Sequence, residues 1–289
     1  MCPTSEPGGT AAVDHGPYAD LDATDPAHWA FGTGFADPLA GIDPELPEGL
    51  DRTGHAALCL LLGDDALVYS HRLSEWCSRA PDLEDDVALG NIALDLLGQA
   101  RLLLARAAVV DPTVVPAMPV GSPVPAEDAL AFFRDAPAYH SSRTAALANG
   151  DFGHTVLRLF LWSTVRLAVL QRLVDHPDPV LAAIAAKGVK ELTYHRDWSG
   201  RWVVTLAQGT EESRGRMVAA FDALAAARVE LLGRYPDAGV EAEDVLDQLL
   251  DAAELRRPEE GADAGLADDL PDLLAELQSV ARAHPMGRW

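Results

Sequence analysis

The chain has 289 residues, enough for one sizeable core or two small ones. Its 45 acidic side chains against 22 Lys and Arg give a formal charge of −23, a surface that repels nucleic-acid phosphates and anionic lipid headgroups and sets both aside as partners. Apolar residues make up 48% but aromatics only 6%, with Ala and Leu dominant, a mix that leans towards helix over sheet.

Residues 1–52 read as an irregular extension rich in Pro, Gly and acids, without periodicity. Its one aromatic cluster, His28-Trp29-Ala30-Phe31 through Phe35, is either a loop lying on the body or a strap over a partner. The start lacks the basic and apolar regions of a signal peptide, and no run of about 18 uncharged apolar residues suggests a membrane span. The cysteines, Cys2, Cys59 and Cys77, are odd in number and form no Cys-x-x-Cys pair, which fits a reducing cytoplasm. Cys77, beside Trp76 on a helix with no motif around it, reads as a core residue.

Residues 53–289 read as one helical domain. A first helix is expected over about 54–79, with Ala57, Leu61, Asp64, Val68, His71 and Glu75 on one stripe and Ala80-Pro81 as its stop. Asp82 then caps a second helix over about 83–108, with Glu84, Asp85 and Asp86 in its first turn and Leu89, Ile92, Leu96, Gln99 and Leu103 facing inward. Five prolines mark 111–126 as a linker, followed by a short helix over 126–135. A helix over about 152–175 is apolar nearly all round and therefore central. A fourth long helix over about 179–207 carries Leu181, Ile184, Gly188, Leu192, His195 and Trp202 on one stripe. Further helices are expected over 214–234, 241–256 and 268–283, and no sheet anywhere. Four long helices in two antiparallel pairs with a long linker between them predict an all-α, ferritin-like four-helix bundle with additional C-terminal helices.

The stretch Tyr69-Ser70-His71-Arg72-Leu73-Ser74-Glu75-Trp76-Cys77, then Arg79-Ala80-Pro81-Asp82-Leu83 and Leu94-Asp95-Leu96-Leu97-Gly98-Gln99-Ala100-Arg101, resembles the family of C-type subunits of the phenylacetyl-CoA 1,2-epoxidase complex. The C-terminal Arg282-Ala283-His284-Pro285 and Trp289 are similar to that family's tail, so the resemblance covers roughly 55–289. It implies a ferritin-like structural subunit, itself non-catalytic, paired with a catalytic, ferritin-like A-type subunit that holds a di-iron centre. Other subunits would bring electrons from NADPH through a flavin and an iron–sulfur cluster, and the complex would add one oxygen atom of dioxygen to the aromatic ring of phenylacetyl-CoA.

The residues agree with a non-catalytic role. A di-iron carboxylate bundle takes Glu-x-x-His from each of two helices and one carboxylate from each of the other two. Where the catalytic sister would have Asp-Glu-x-Gly-His, this chain reads Asp95-Leu96-Leu97-Gly98-Gln99. The second pair falls on Leu192 and His195, and no acid lies between Phe152 and Val174. Of the ligand positions Glu75, Leu96, Gln99, Leu192 and His195, only Glu75 and His195 keep ligand chemistry, so neither metal nor cofactor is expected in this chain. Buried without metal, Gln99 and His195 need hydrogen-bond partners, for which Glu75, His71 and Tyr194 are the candidates; Asp95 and Glu191 would pair with Arg101, Lys190 or a neighbouring subunit. Two other readings stay open: a ferritin-like oxidase with a variant site on Glu75, Glu191 and His195, or on these together with Asp95, and a free-standing helical interaction protein.

Overall fold

The computed structural model describes residues 39–257 and 269–287; the aromatic cluster at 28–35, Cys2 and Trp289 lie outside them. The chain divides into two units, 1–40 and 41–289, and the second holds every helix among the described residues. Its long helices are α1 (Arg52–Ser74), α2 (Leu83–Val110), α5 (Phe152–Leu173) and α6 (Pro179–Ala207), with the short α3 (Ala126–Phe132) and α4 (Arg143–Ala146) between the pairs. After them come α7 (Glu211–Ala223), α8 (Ala225–Arg234), α9 (Pro236–Ala253), α10 (Leu270–Leu277) and α11 (Ser279–Ala283). The described residues form no strand.

Acidic side chains start each long helix. Asp51, Asp82, Asp151 and Asp178 cap α1, α2, α5 and α6 by accepting from backbone N–H groups two or three residues on, and Pro179 presets the first turn of α6. The expected helix over 214–234 is broken at Leu224 into α7 and α8, and that over 241–256 begins earlier, with Pro236 as its first residue.

Helix α1 pairs with α2 and α5 with α6, each pair antiparallel. Gly63 abuts Leu103 and Leu104, while Ser70 Oγ donates to the carbonyl of Ala93 at 2.6 Å. In the other pair Gly188 meets Leu170 and Gly200 meets Phe160. Helix α2 also lies antiparallel to α6: Asp95 reaches His195 and Gln99 reaches Glu191. This is the ferritin-like bundle, and residues 111–151 cross it from the Arg106–Asp178 end to the Glu75 end. Helices α7 and α9 pack on the outside of α5 and α6 around Phe160, Met217, Phe221 and Leu246.

The crossover explains a departure in α1. Ala57 is exposed and Leu61 half-buried, whereas every residue from Leu62 to Ser70 is buried, so α1 has no single inward stripe. One side packs on α2 and the opposite side lies under the crossover. Arg134 forms an ion pair with Asp64, whose carboxylate also accepts from the backbone N–H of His140 at 2.9 Å. Ser142 donates to Asp65 through both its N–H (2.8 Å) and its hydroxyl (2.6 Å). Arg72 donates to the carbonyl of Ala146 at 2.9 Å, and Asn149 donates to Glu75 at 3.0 Å. Helix α1 also stops at Ser74, before the Ala80-Pro81 pair, and the chain turns through Ser78 at φ 65°. In this turn Cys77 is exposed, not a core residue, while Cys59 is buried and its thiol is pushed up to about 12 by burial, with the Asp178 charge adding to the effect.

Helix α2 is long and apolar enough by length and composition to cross a bilayer, although half of its most apolar window is buried in the bundle.

At the far end of the bundle Asp178 joins three helices. Arg106 of α2 donates to it through Nε (2.8 Å) and Nη2 (2.7 Å), and His55 Nε2 of α1 lies 2.7 Å away. Arg106 also donates to the carbonyl of Pro44 at 2.8 Å, tying residues ahead of the expected boundary at 52 to the bundle. Burial alone would raise the Asp178 carboxyl, but the bonds from His55 and Arg106 outweigh it and hold the group well below the usual carboxylate range. A carboxylate with a depressed folded value stabilises fully above its unfolded pKa and loses that stabilisation as pH falls through the folded one. Asp178→Asn is expected to cost about 3–5 kcal/mol at pH 7 by stranding the Arg106 charge. Urea titrations at a series of pH values should show the gap from wild type closing as pH drops below about 4.

Candidate functional site

The bundle register fixes which residues share the layer where a ferritin-like protein would hold metal. Leu96 and Gln99 of α2 stand opposite Glu191–Tyr194 of α6, as the Gln99–Glu191 and Asp95–His195 contacts require. On α1 the facing turn lies between Gly63 and Ser70, and on α5 it holds Trp162 and Arg166. Leu96, Leu192 and His195 are fully buried, and Gln99 nearly so.

Glu75 does not belong to this layer. It follows the last residue of α1, more than a turn beyond Ser70, where its carboxylate accepts from Arg72 at 2.8 Å and from Asn149 at 3.0 Å. The anticipated partners of Gln99 and His195 are also replaced. Gln99 Nε2 donates to Glu191 at 2.9 Å, and Gln99 Oε1 lies 3.5 Å from Arg166 Nη2. His195 Nε2 lies 3.0 Å from Asp95 Oδ2; a carboxylate only accepts, so this nitrogen carries the proton. His195 Nδ1 makes no hydrogen bond among the described residues. Glu191 pairs with Lys187, one turn earlier on α6, and not with Lys190, while Arg101 lies 3.8 Å from Glu127 and not against Asp95. Tyr194 is half-exposed on the outside.

Glu75, Glu191, His195 and Asp95 therefore belong to three separate clusters. Among the described residues, no three His, Cys, Asp or Glu side chains converge in a way that could hold a metal ion.

Helix α5 carries residues that the search for acids passed over. Arg158, Trp162 and Arg166 recur every four residues on one face and are all buried. Trp162 donates its indole N–H to Asp65 at 3.0 Å, so Asp65 has three donors and its buried charge is well compensated. Arg158 lies over the Tyr69 ring and donates to the carbonyl of Leu147 and to Asn149, which anchors the corner before α5. Arg166 lies over the Trp162 ring, 5.4 Å from its centroid, and its Nε and Nη1 make no hydrogen bond among the described residues. Burial pushes both guanidinium groups below their ordinary value; Tyr69 counters it at Arg158, Tyr235 and Asp65 at Arg166. The spacing of these arginines is visible in the sequence; their burial is not, because arginine ordinarily marks an outer face.

The sequence as a whole matches the family described as phenylacetic acid catabolic protein over residues 44–289. The chain belongs to that family. Within it, the chain is similar to the C subunit of 1,2-phenylacetyl-CoA epoxidase from Escherichia coli (strain K12), at 36% identity over 256 residues, covering 81% of this chain and 98% of the relative. The family assignment and the bundle agree with the fold that the motifs around Tyr69–Arg101 implied.

The two buried arginines should respond differently to removal. Arg158→Met strands the Leu147 carbonyl and Asn149, and is expected to cost about 3 kcal/mol or more from two charge-assisted bonds. Arg166→Met removes a charge whose one hydrogen-bond contact is long, and should change stability by less than about 1 kcal/mol. Chemical denaturation of the two variants side by side measures the difference.

Proposed function

We propose that this chain is the C-type subunit of a phenylacetyl-CoA 1,2-epoxidase complex, a metal-free bundle that supports a di-iron catalytic subunit in aerobic phenylacetate catabolism. The similarity to the Escherichia coli protein along nearly its whole length supports the choice of complex. The observation that carries the non-catalytic role is the composition of the central layer. A di-iron centre takes four carboxylates and two imidazoles. This layer offers Leu96, Gln99, Leu192 and His195, with the Arg166 guanidinium bearing on Gln99.

That donor set does not fit a di-iron centre. Two leucines have no lone pair to give, an amide is a weak ligand, and His195 directs its protonated nitrogen to Asp95. Divalent cations would also meet a buried guanidinium in a medium that screens charge poorly. Replacing carboxylates by Leu96 and Leu192 removes the desolvation cost of a metal-free acidic cluster, so the bundle holds its shape without metal. On this reading the ring chemistry, the iron and the electron supply belong to other subunits.

The chain purified alone from iron-supplemented cells should contain well under one iron atom per chain and show no epoxidation of phenylacetyl-CoA. Co-expression with the di-iron subunit should give a stable complex of both. Stoichiometric iron in the isolated chain, removed by His195→Ala, would overturn the assignment.

A further inference from the structure

Helix α2 has a second face that the described residues leave exposed from Leu83 to Leu97. Leu83, Val87, Leu94 and Leu97 are exposed there, between 44% (Leu97) and 73% (Leu83). With Gly90 and Arg101 they follow the alternating four and three spacing of a coiled-coil seam, and Gly98 lies beside Leu97. From Leu83 to Arg101 the row runs for about 27 Å at 1.5 Å per residue, ending where Arg101 lies 3.8 Å from Glu127 of α3 and, beyond it, Ala108 is buried. Single exposed apolar residues are ordinary, and among the described residues no other helix carries more than one large one.

Nothing among the described residues accounts for the glycines in this row. Glycine in a helix interior costs about 1 kcal/mol relative to alanine. At Gly63 and Gly188 packing accounts for it, since an added Cβ would meet Leu104 at 3.0 Å and Leu170 at 2.5 Å. At Gly90 and Gly98 an added Cβ would meet nothing within 4 Å. Two smooth notches eight residues apart on an apolar ridge are what the close approach of another helix backbone needs.

We infer that this face of α2 docks a helix of the di-iron partner, one with an apolar seam flanked by Lys or Arg. The inference rests on the function proposed above. The basic flanks follow from charge: Glu84, Asp86 and Asp95 border the row, against Arg101 alone. A second copy of this chain is disfavoured by the same acids and by a net charge of −23 on each molecule. Anionic membranes are disfavoured for the same reason.

The test uses the full chain co-expressed with the di-iron partner, and sets it beside Leu94→Glu/Leu97→Glu, Gly98→Gln, and Val240→Glu on α9 as a control at another exposed valine. Sedimentation and native mass spectrometry report assembly, and thermal melting of each chain alone reports folding. The seam variants should melt like wild type and bind the di-iron partner at least a hundredfold more weakly, with Val240→Glu unchanged. Unaltered binding by Leu94→Glu/Leu97→Glu would overturn this inference and leave the proposed function standing. Failure of wild type to bind the di-iron partner under any condition would overturn both. Wild type that self-associates or binds phosphatidylcholine vesicles through this face, while the seam variants do neither, would assign the seam to another occupant and overturn the inference.

Discussion

The cost of taking a charge out of water governs the path of this chain. Helix α1 buries Asp64 and Asp65 in consecutive positions, which no single helix neighbour can satisfy. Asp64 finds Arg134 and the His140 N–H, and Asp65 finds Ser142 and the Trp162 indole. Most of these donors sit on the crossover between α2 and α5. The linker therefore has to lie along α1, and α1 becomes buried on both sides. Asp178 plays the same part at the opposite end, where helices α1, α2 and α6 meet on one carboxylate.

The same constraint shapes the central layer. Carboxylates there without metal would repel one another and lose their hydration, and Leu96 and Leu192 avoid that cost. The remaining polar groups point to the edges of the layer. Gln99 reaches Glu191, and His195 reaches Asp95, whose side chain is 39% exposed. Arg166 is the exception, held chiefly by the Trp162 face and by the nearby Tyr235 and Asp65.

Periodicity and caps make α2, α5 and α6 legible, because each has one dominant inward stripe or is buried throughout. Asp82, the acidic first turn after it and Pro179 locate two helix starts directly. Helix α1 resists such a reading because its burial comes from two directions, so its pattern has no single 3.6-residue stripe. Glu75 looks like a ligand only if the helix extends to residue 79; ending it at Ser74 moves Glu75 into a cap. The pairs Asp95–His195 and Gln99–Glu191 depend on the offset between α2 and α6, a tertiary quantity that no spacing within either helix contains. Arg158 and Arg166 are hidden for a related reason: a buried guanidinium is recognised by what covers it, and in this bundle the covering groups are Tyr69 and Trp162 from the same layer.

Inside and outside of α2 obey different logics although they share one helix. Inward, Leu89, Ile92, Leu96 and Leu103 are buried, and the polar Gln99 among them is matched by Glu191. Outward, from Leu83 to Leu97, the large side chains are apolar yet exposed among the described residues, and glycine stands at 90 and 98 where alanine would strengthen the helix. A helix optimised only for its own bundle would place charged residues on that face, as most of this acidic surface does. An exposed apolar row with interior glycines costs a helix stability and solubility, and that cost is the one expected of a surface that another chain completes, as inferred above.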